Sequence, residues 1–147
     1  MNLLEDFEGY DAGVGEWSGW VTDGSDPYEK HSGPFFSRRD TDGKMRCAFR
    51  VGPGHLNSGR VVHGGCLMTF ADYALFSIAR RETKGARAVT VSFNSEFLNA
   101  AHEGEVLEAT GEVTRAATSL VFVRGLIASG VTPILNFSAV IKKVRPA

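Results

Sequence analysis

Asp72 is the only formal charge in the stretch from Gly64 to Ala79. An ionised carboxylate among apolar side chains is costly unless it is paired or its pKa shifts. Such an acid is either a structural group, bonded to a hydroxyl or to backbone donors of a neighbouring loop, or a catalytic one. Gly64, eight residues earlier, is followed by Gly65 and preceded by His63. Two glycines opening a helix bare backbone amides at the end where the dipole favours negative charge, which suits a carbonyl oxygen becoming an oxyanion. The same pair equally suits a tight turn that needs glycine dihedrals. His63 reads as an acid–base group or as a turn histidine whose ring ties down the loop. Gly64 and Asp72 lie roughly 12 Å apart along one helix, whereas an acid and an oxyanion donor must both stand about 3 Å from one reacting carbonyl. One chain cannot close such a site with its own pair. Two antiparallel helices related by a twofold axis can, each offering its N-terminus to the other's acid. If both features are catalytic, the protein is a homodimer with a site at each end of the shared interface.

Other reactive side chains carry less. Cys66 reads as a small apolar residue at the helix start, with no triad partner in view. His31, His55, His63 and His102 lack the spacing of a zinc site, so no metal is expected. Arg80, Arg81, Lys84 and Arg87 read as a solvated helix end. The 147 residues make one ordinary domain, 43% hydrophobic and 22% charged, which excludes a disordered chain. A net charge of −1 with no basic stripe argues against duplex nucleic acid as a partner. Two cysteines, Cys47 and Cys66, make no disulfide framework. The acidic N-terminus is not a signal peptide, and the longest nearly apolar run, Cys66 to Ala79, is too short to span a bilayer. A cytoplasmic location with no membrane partner is the expectation.

The elements that must position these residues follow from periodicity. Residues 1–26 read as an irregular arm, rich in glycine and aromatics, and 27–147 as the folded domain. Residues 34–51 read as a hairpin turning at Asp40-Thr41-Asp42-Gly43, with Met45, Cys47, Phe49 and Val51 on one face. After a loop over 52–63, Leu67, Phe70, Ala71, Ala74, Leu75 and Ile78 predict a helix from Gly64 to about Thr83, capped near Gly85. Residues 88–98 alternate, with Val89, Val91, Phe93 and Phe97 on one face and Thr90, Ser92, Asn94 and Glu96 on the other. Three long strand-like segments follow, over 104–117, 119–129 and 131–144. Short turns between them require antiparallel pairing. The expected fold class is α+β, one long helix wrapped by a curved antiparallel sheet.

The run Asn57 to Asp72, with His63-Gly64-Gly65, Asp72 nine residues after the histidine and Asn57 six before it, resembles the hotdog-fold thioesterases of the phenylacetate-pathway (PaaI-like) type. The resemblance spans about residues 27–144 and implies an acyl-CoA thioesterase acting on a medium-chain or aromatic thioester. It implies Asp72 as general base or nucleophile, the amide of Gly64, with Gly65, on the thioester oxygen, and Asn57 orienting water or substrate. His63 would shape the turn and bond near the carbonyl. Thr90, on the strand after the helix, would complete the site, with Ser92 as a second candidate on the same face. Coenzyme A would enter as part of the substrate, and no cofactor is needed. Self-association as a homodimer, and in similar proteins a pair of dimers, is implied. The rival expectations are a non-catalytic acyl-CoA-binding protein and a hydroxyacyl-thioester dehydratase.

Overall fold

A computed structural model describes residues 5–145, so expectations for residues 1–4 and 146–147 lie outside the described residues. In chain order the elements are β1 (Asp11–Ala12), β2 (Val21–Thr22), α1 (Pro27–Ser32), β3 (Phe36–Arg39), β4 (Met45–Arg50), α2 (Gly64–Ile78), α3 (Arg80–Thr83), β5 (Ala88–Phe97), β6 (Val106–Ala116), β7 (Leu120–Ser129) and β8 (Thr132–Lys143). The strands form one antiparallel sheet in the order β1-β2-β3-β4-β6-β7-β8-β5. It curves around α2, as the expected α+β architecture requires. None of the described helices is long and apolar enough to cross a membrane.

Leu67, Phe70, Ala71, Ala74, Leu75 and Ile78 of α2 are buried among inward-facing residues of the sheet. Each larger side chain contributes about 1.5–3 kcal/mol by leaving water. Phe70 packs against Phe35 and Phe49 with ring centroids 5.2 and 4.8 Å apart. A buried polar cluster fixes the rotation of the helix. The Ser37 hydroxyl of β3 is 2.6 Å from the Tyr73 hydroxyl and 3.0 Å from that of Ser77. With Tyr73 turned to the sheet, Asp72 is carried about 100° round the helix. It joins Gly65, Met68 and Thr69 on a stripe the sheet leaves open.

The predicted helix end at Thr83 is divided. α2 stops at Ile78, Ala79 leaves helical geometry, and α3 resumes for four residues. At that break the Arg80 guanidinium donates to the Asp6 carbonyl and to the Tyr10 hydroxyl and lies over the Tyr10 ring. Lys84, in left-handed conformation with φ 50°, caps α3 one residue before the expected Gly85.

Strand β5 departs from the simple alternation. Its pairing with β8 slips between Thr90 and Ser92, so Val91 is an extra, bulged residue. Thr90, Phe93, Ser95 and Phe97 face Ile141, Ala139, Phe137 and Leu135, the helix side of the sheet. Val89, Ser92, Asn94 and Glu96 face Lys142, Val140, Ser138 and Asn136, the outer side. Thr90 and Ser92 therefore do not share a face, because a bulge changes which side the following residues point to. β5 is also an edge strand, and Val89, Val91, Phe97 and Leu98 on or beside it are exposed.

The arm before α1 is more regular than its glycines suggest. β1 and β2 extend the sheet beyond β3, and Trp20 packs with Phe36 and Ala48 in a second cluster on the outer side of the sheet. Trp17 stacks on Phe36 at 4.4 Å, and the Arg38 guanidinium lies 4.3 Å from the Trp20 ring.

Candidate active site

The start of α2 is built by His63. Its Nδ1 accepts the Gly65 amide at 2.8 Å, and its carbonyl accepts the amides of Cys66 and Leu67 at 2.9 and 3.1 Å. The neutral ring therefore carries its proton on Nε2. Of the two glycine amides expected to meet an oxyanion, that of Gly65 is taken by the cap, while that of Gly64 meets no acceptor among the described residues. The His63 ring thus ties down the turn, and the same cap leaves the Gly64 amide open. A Cβ at Gly64 would stand 3.2 Å from the Phe97 ring, so glycine lets the β5 edge close on the helix start.

Two turns on, Asp72 is half-buried, and its Oδ1 accepts the Thr90 hydroxyl at 2.7 Å. Burial pushes its carboxyl above the ordinary range. The Thr90 bond pulls the other way, and Asp26 adds a smaller push upward. The opposing influences left open by the sequence thus resolve in favour of burial. The bulge at Val91 lets Thr90 reach the acid while Phe93 also faces inward; a regular strand would offer only one of the two.

Asp72 lines a groove of about 390 Å3 with Tyr28 and Glu29 of α1, Asp26 before it, Met68 and Thr69 of α2, and Phe93 of β5. A second groove, about 590 Å3, shares Tyr28 and Thr69 with the first and runs on to His31, His55, His63 and Gly65. Gly64 instead lines a third groove, about 340 Å3, with Phe97, Leu98 and Asn99. Within one chain Gly64 and Asp72 share none of these three grooves, in keeping with their separation along the helix. Asn57 lines none of these three. Its side-chain oxygen accepts the amides of Gly59 and Val61 at 2.9 and 3.3 Å, closing the loop before the helix. Ser92 points to the outer side, away from Asp72.

The sequence reading missed α1 and with it Tyr28 and Glu29. Its signal was present: Asp26-Pro27-Tyr28-Glu29 is an N-cap, a proline at the first helical position and an acid in the first turn. Asp26 Oδ1 accepts the Glu29 amide at 3.0 Å. Burial pushes the Glu29 carboxyl up to about 7, with further upward pushes from Asp26, Asp23 and Asp72.

A family profile described as "Thioesterase superfamily" matches residues 59–131. The chain is 31% identical over 109 residues to the Pseudomonas aeruginosa protein named "Putative esterase PA0474", covering 74% of this chain and 81% of that protein. Among solved structures, the Escherichia coli PaaI protein from the phenylacetic acid degradation operon superposes with a TM-score of 0.71 at 20% identity, over 84% of this chain and 88% of that one. The BH2602 protein from Bacillus halodurans, solved with CoA, gives 0.70 at 21% identity over 76% and 74%.

Proposed function

The chain belongs to the thioesterase superfamily and has the hotdog fold, and on that premise we propose that this thioesterase-type hydrolase cleaves acyl-CoA thioesters at two sites shared across a homodimer. The observation that carries the reading is the division of one reaction's parts between separate grooves of one chain. Gly64, with its open amide, lines one, and Asp72, which accepts from Thr90, lines another. The free edge of β5, with its exposed apolar side chains, supports the second copy. Antiparallel pairing of two such edges continues the sheet and lays the two α2 helices side by side. A neighbour of the same fold solved with CoA supports the substrate class.

In this reading the thioester carbonyl oxygen lies against the Gly64 amide of one protomer. Asp72 of the other, oriented by Thr90, takes a proton from water as that water attacks the carbonyl carbon. The developing oxyanion is held by the amide and the helix dipole. Collapse breaks the carbon–sulfur bond, and the thiolate of coenzyme A leaves with the free acid as the other product. A direct attack by Asp72, giving a mixed anhydride opened by water, uses the same geometry. Both routes need the ionised acid, so activity rises with pH through its raised pKa. Medium-chain or aromatic acyl groups suit a groove walled by Tyr28, Met68 and Phe93.

The test is thiol release from short, medium, long and aromatic acyl-CoA thioesters by wild type and Asp72→Asn. Wild type turns over at least one, and the variant, folded and dimeric, loses about a hundredfold or more. Tight binding of thioester without turnover by wild type would replace the hydrolase with an acyl-CoA-binding protein.

A further inference from the structure

α1 brings to the Asp72 groove a carboxyl that the reaction does not use. The groove is apolar on Tyr28, Met68 and Phe93, and among the described residues its charged lining is Asp26, Glu29 and Asp72, with no lysine or arginine. The phosphates of coenzyme A are poorly placed against such a wall, so the part of the substrate that lies along it is the acyl group. Asp26 is occupied in capping α1, whereas the half-buried Glu29 carboxyl finds no donor among the described residues. On the thioesterase reading above, we propose that Glu29 is a specificity-determining residue, which turns away acyl groups ending in a carboxylate and admits those with an uncharged end.

The discrimination depends on pH. Glu29, with its carboxyl near 7, gains charge as pH rises through neutrality, and repulsion of a second carboxylate grows with it. The phenols and the thiol packed near it stay protonated across that window. Tyr10, from the arm, is pushed up to about 12, mainly by burial, and burial also raises Tyr73 of α2 well above its usual value. Buried Cys47 of β4 is pushed up to about 11. Asp23 and Asp26 from the segment before α1, and Asp72 from α2, add negative charge, while Lys30 and His31 share its short helix.

Pentanoyl-CoA and glutaryl-CoA match in carbon count and differ in the terminal carboxylate. The experiment measures kcat/KM for both, with wild type and Glu29→Gln, from pH 6 to 8. The expected glutaryl-to-pentanoyl ratio in wild type falls as pH rises. In Glu29→Gln the ratio at pH 8 is higher by about tenfold, and its fall with pH is lost. A ratio the substitution leaves unchanged, or one that is flat with pH in wild type, overturns the proposal. The same pair of thioesters is also measured as Kd on Asp72→Asn with and without Glu29→Gln, which needs no turnover. A shifted Kd ratio with no thiol release from any thioester would uphold Glu29 and overturn the hydrolase reading instead. An unshifted Kd ratio overturns Glu29 alone.

Discussion

The Thr90–Asp72 bond favours the ionised state of an acid that burial pushes toward the protonated one. Thr90 donates to Oδ1, and that bond opposes the upward push of burial. Removing the hydroxyl leaves the desolvation unopposed, so the carboxyl of Thr90→Ala rises further. The sign for activity follows: the acid limb of kcat/KM moves to higher pH, and below that limb the variant is slower by about tenfold, the scale of a hydrogen bond to a charged group. Thr90→Ser keeps a donor and restores the limb. A Thr90→Ala profile superposing on wild type would leave Thr90 a packing residue. The Asp72–Thr90 pairing was legible in the sequence only through the motif. From periodicity alone Thr90 was one of several polar residues on a strand. Asn57 reads both as a residue orienting water or substrate and as a loop residue bonding its own backbone; its oxygen accepts the Gly59 and Val61 amides of its own loop.

Elements were read well where one period runs uninterrupted. The alternation of Met45, Cys47, Phe49 and Val51, and the helical spacing from Leu67 to Ile78, reappear as buried faces of β4 and α2. The reading failed where a single residue interrupts the period. Val91 adds one residue to β5, and every residue after it points the other way from the regular pattern. Nothing local marks Val91 as the bulge, because valine suits a regular strand equally well. The six-residue α1 has caps but too few residues for a period. The helix breaks at Ala79, and there Arg80 donates to the Asp6 carbonyl and the Tyr10 hydroxyl, far off in sequence. The register makes its own prediction. Ser92→Ala lies on the outer side and leaves kcat/KM within about twofold, as surface substitutions usually do. A loss matching that of Thr90→Ala in the same assay would mean that β5 alternates regularly and that Ser92 faces the acid.

At the scale of the whole molecule, division of the site between copies can be tested by mixing. Gly64→Pro removes one amide hydrogen at the first helical position, where proline is otherwise favoured. His63 before it already has the extended backbone that a following proline demands. The new ring displaces Phe97, whose edge lies 3.2 Å from where a Cβ would stand. Gly64→Pro and Asp72→Asn homodimers are each expected to be inactive. Unfolded and refolded together, they yield mixed dimers in which one site has an intact Gly64 from one chain and an intact Asp72 from the other. Random pairing gives roughly a quarter of wild-type activity, half the dimers having one working site of two. No recovery in a mixture shown to contain mixed dimers would place the site within a single chain.

The arm carries a consequence for how the protein can be watched. Trp17 and Trp20 are the chain's two tryptophans, set edge to face at 5.4 Å on the outer side of the sheet, behind β3 and β4. Neither lines the Asp72 groove or the grooves beside it. Intrinsic indole fluorescence is therefore a reporter of the arm's seat on the sheet and is blind to direct contact between substrate and indole. A red shift on warming that precedes the loss of far-ultraviolet circular dichroism marks the arm lifting from a sheet that is still folded.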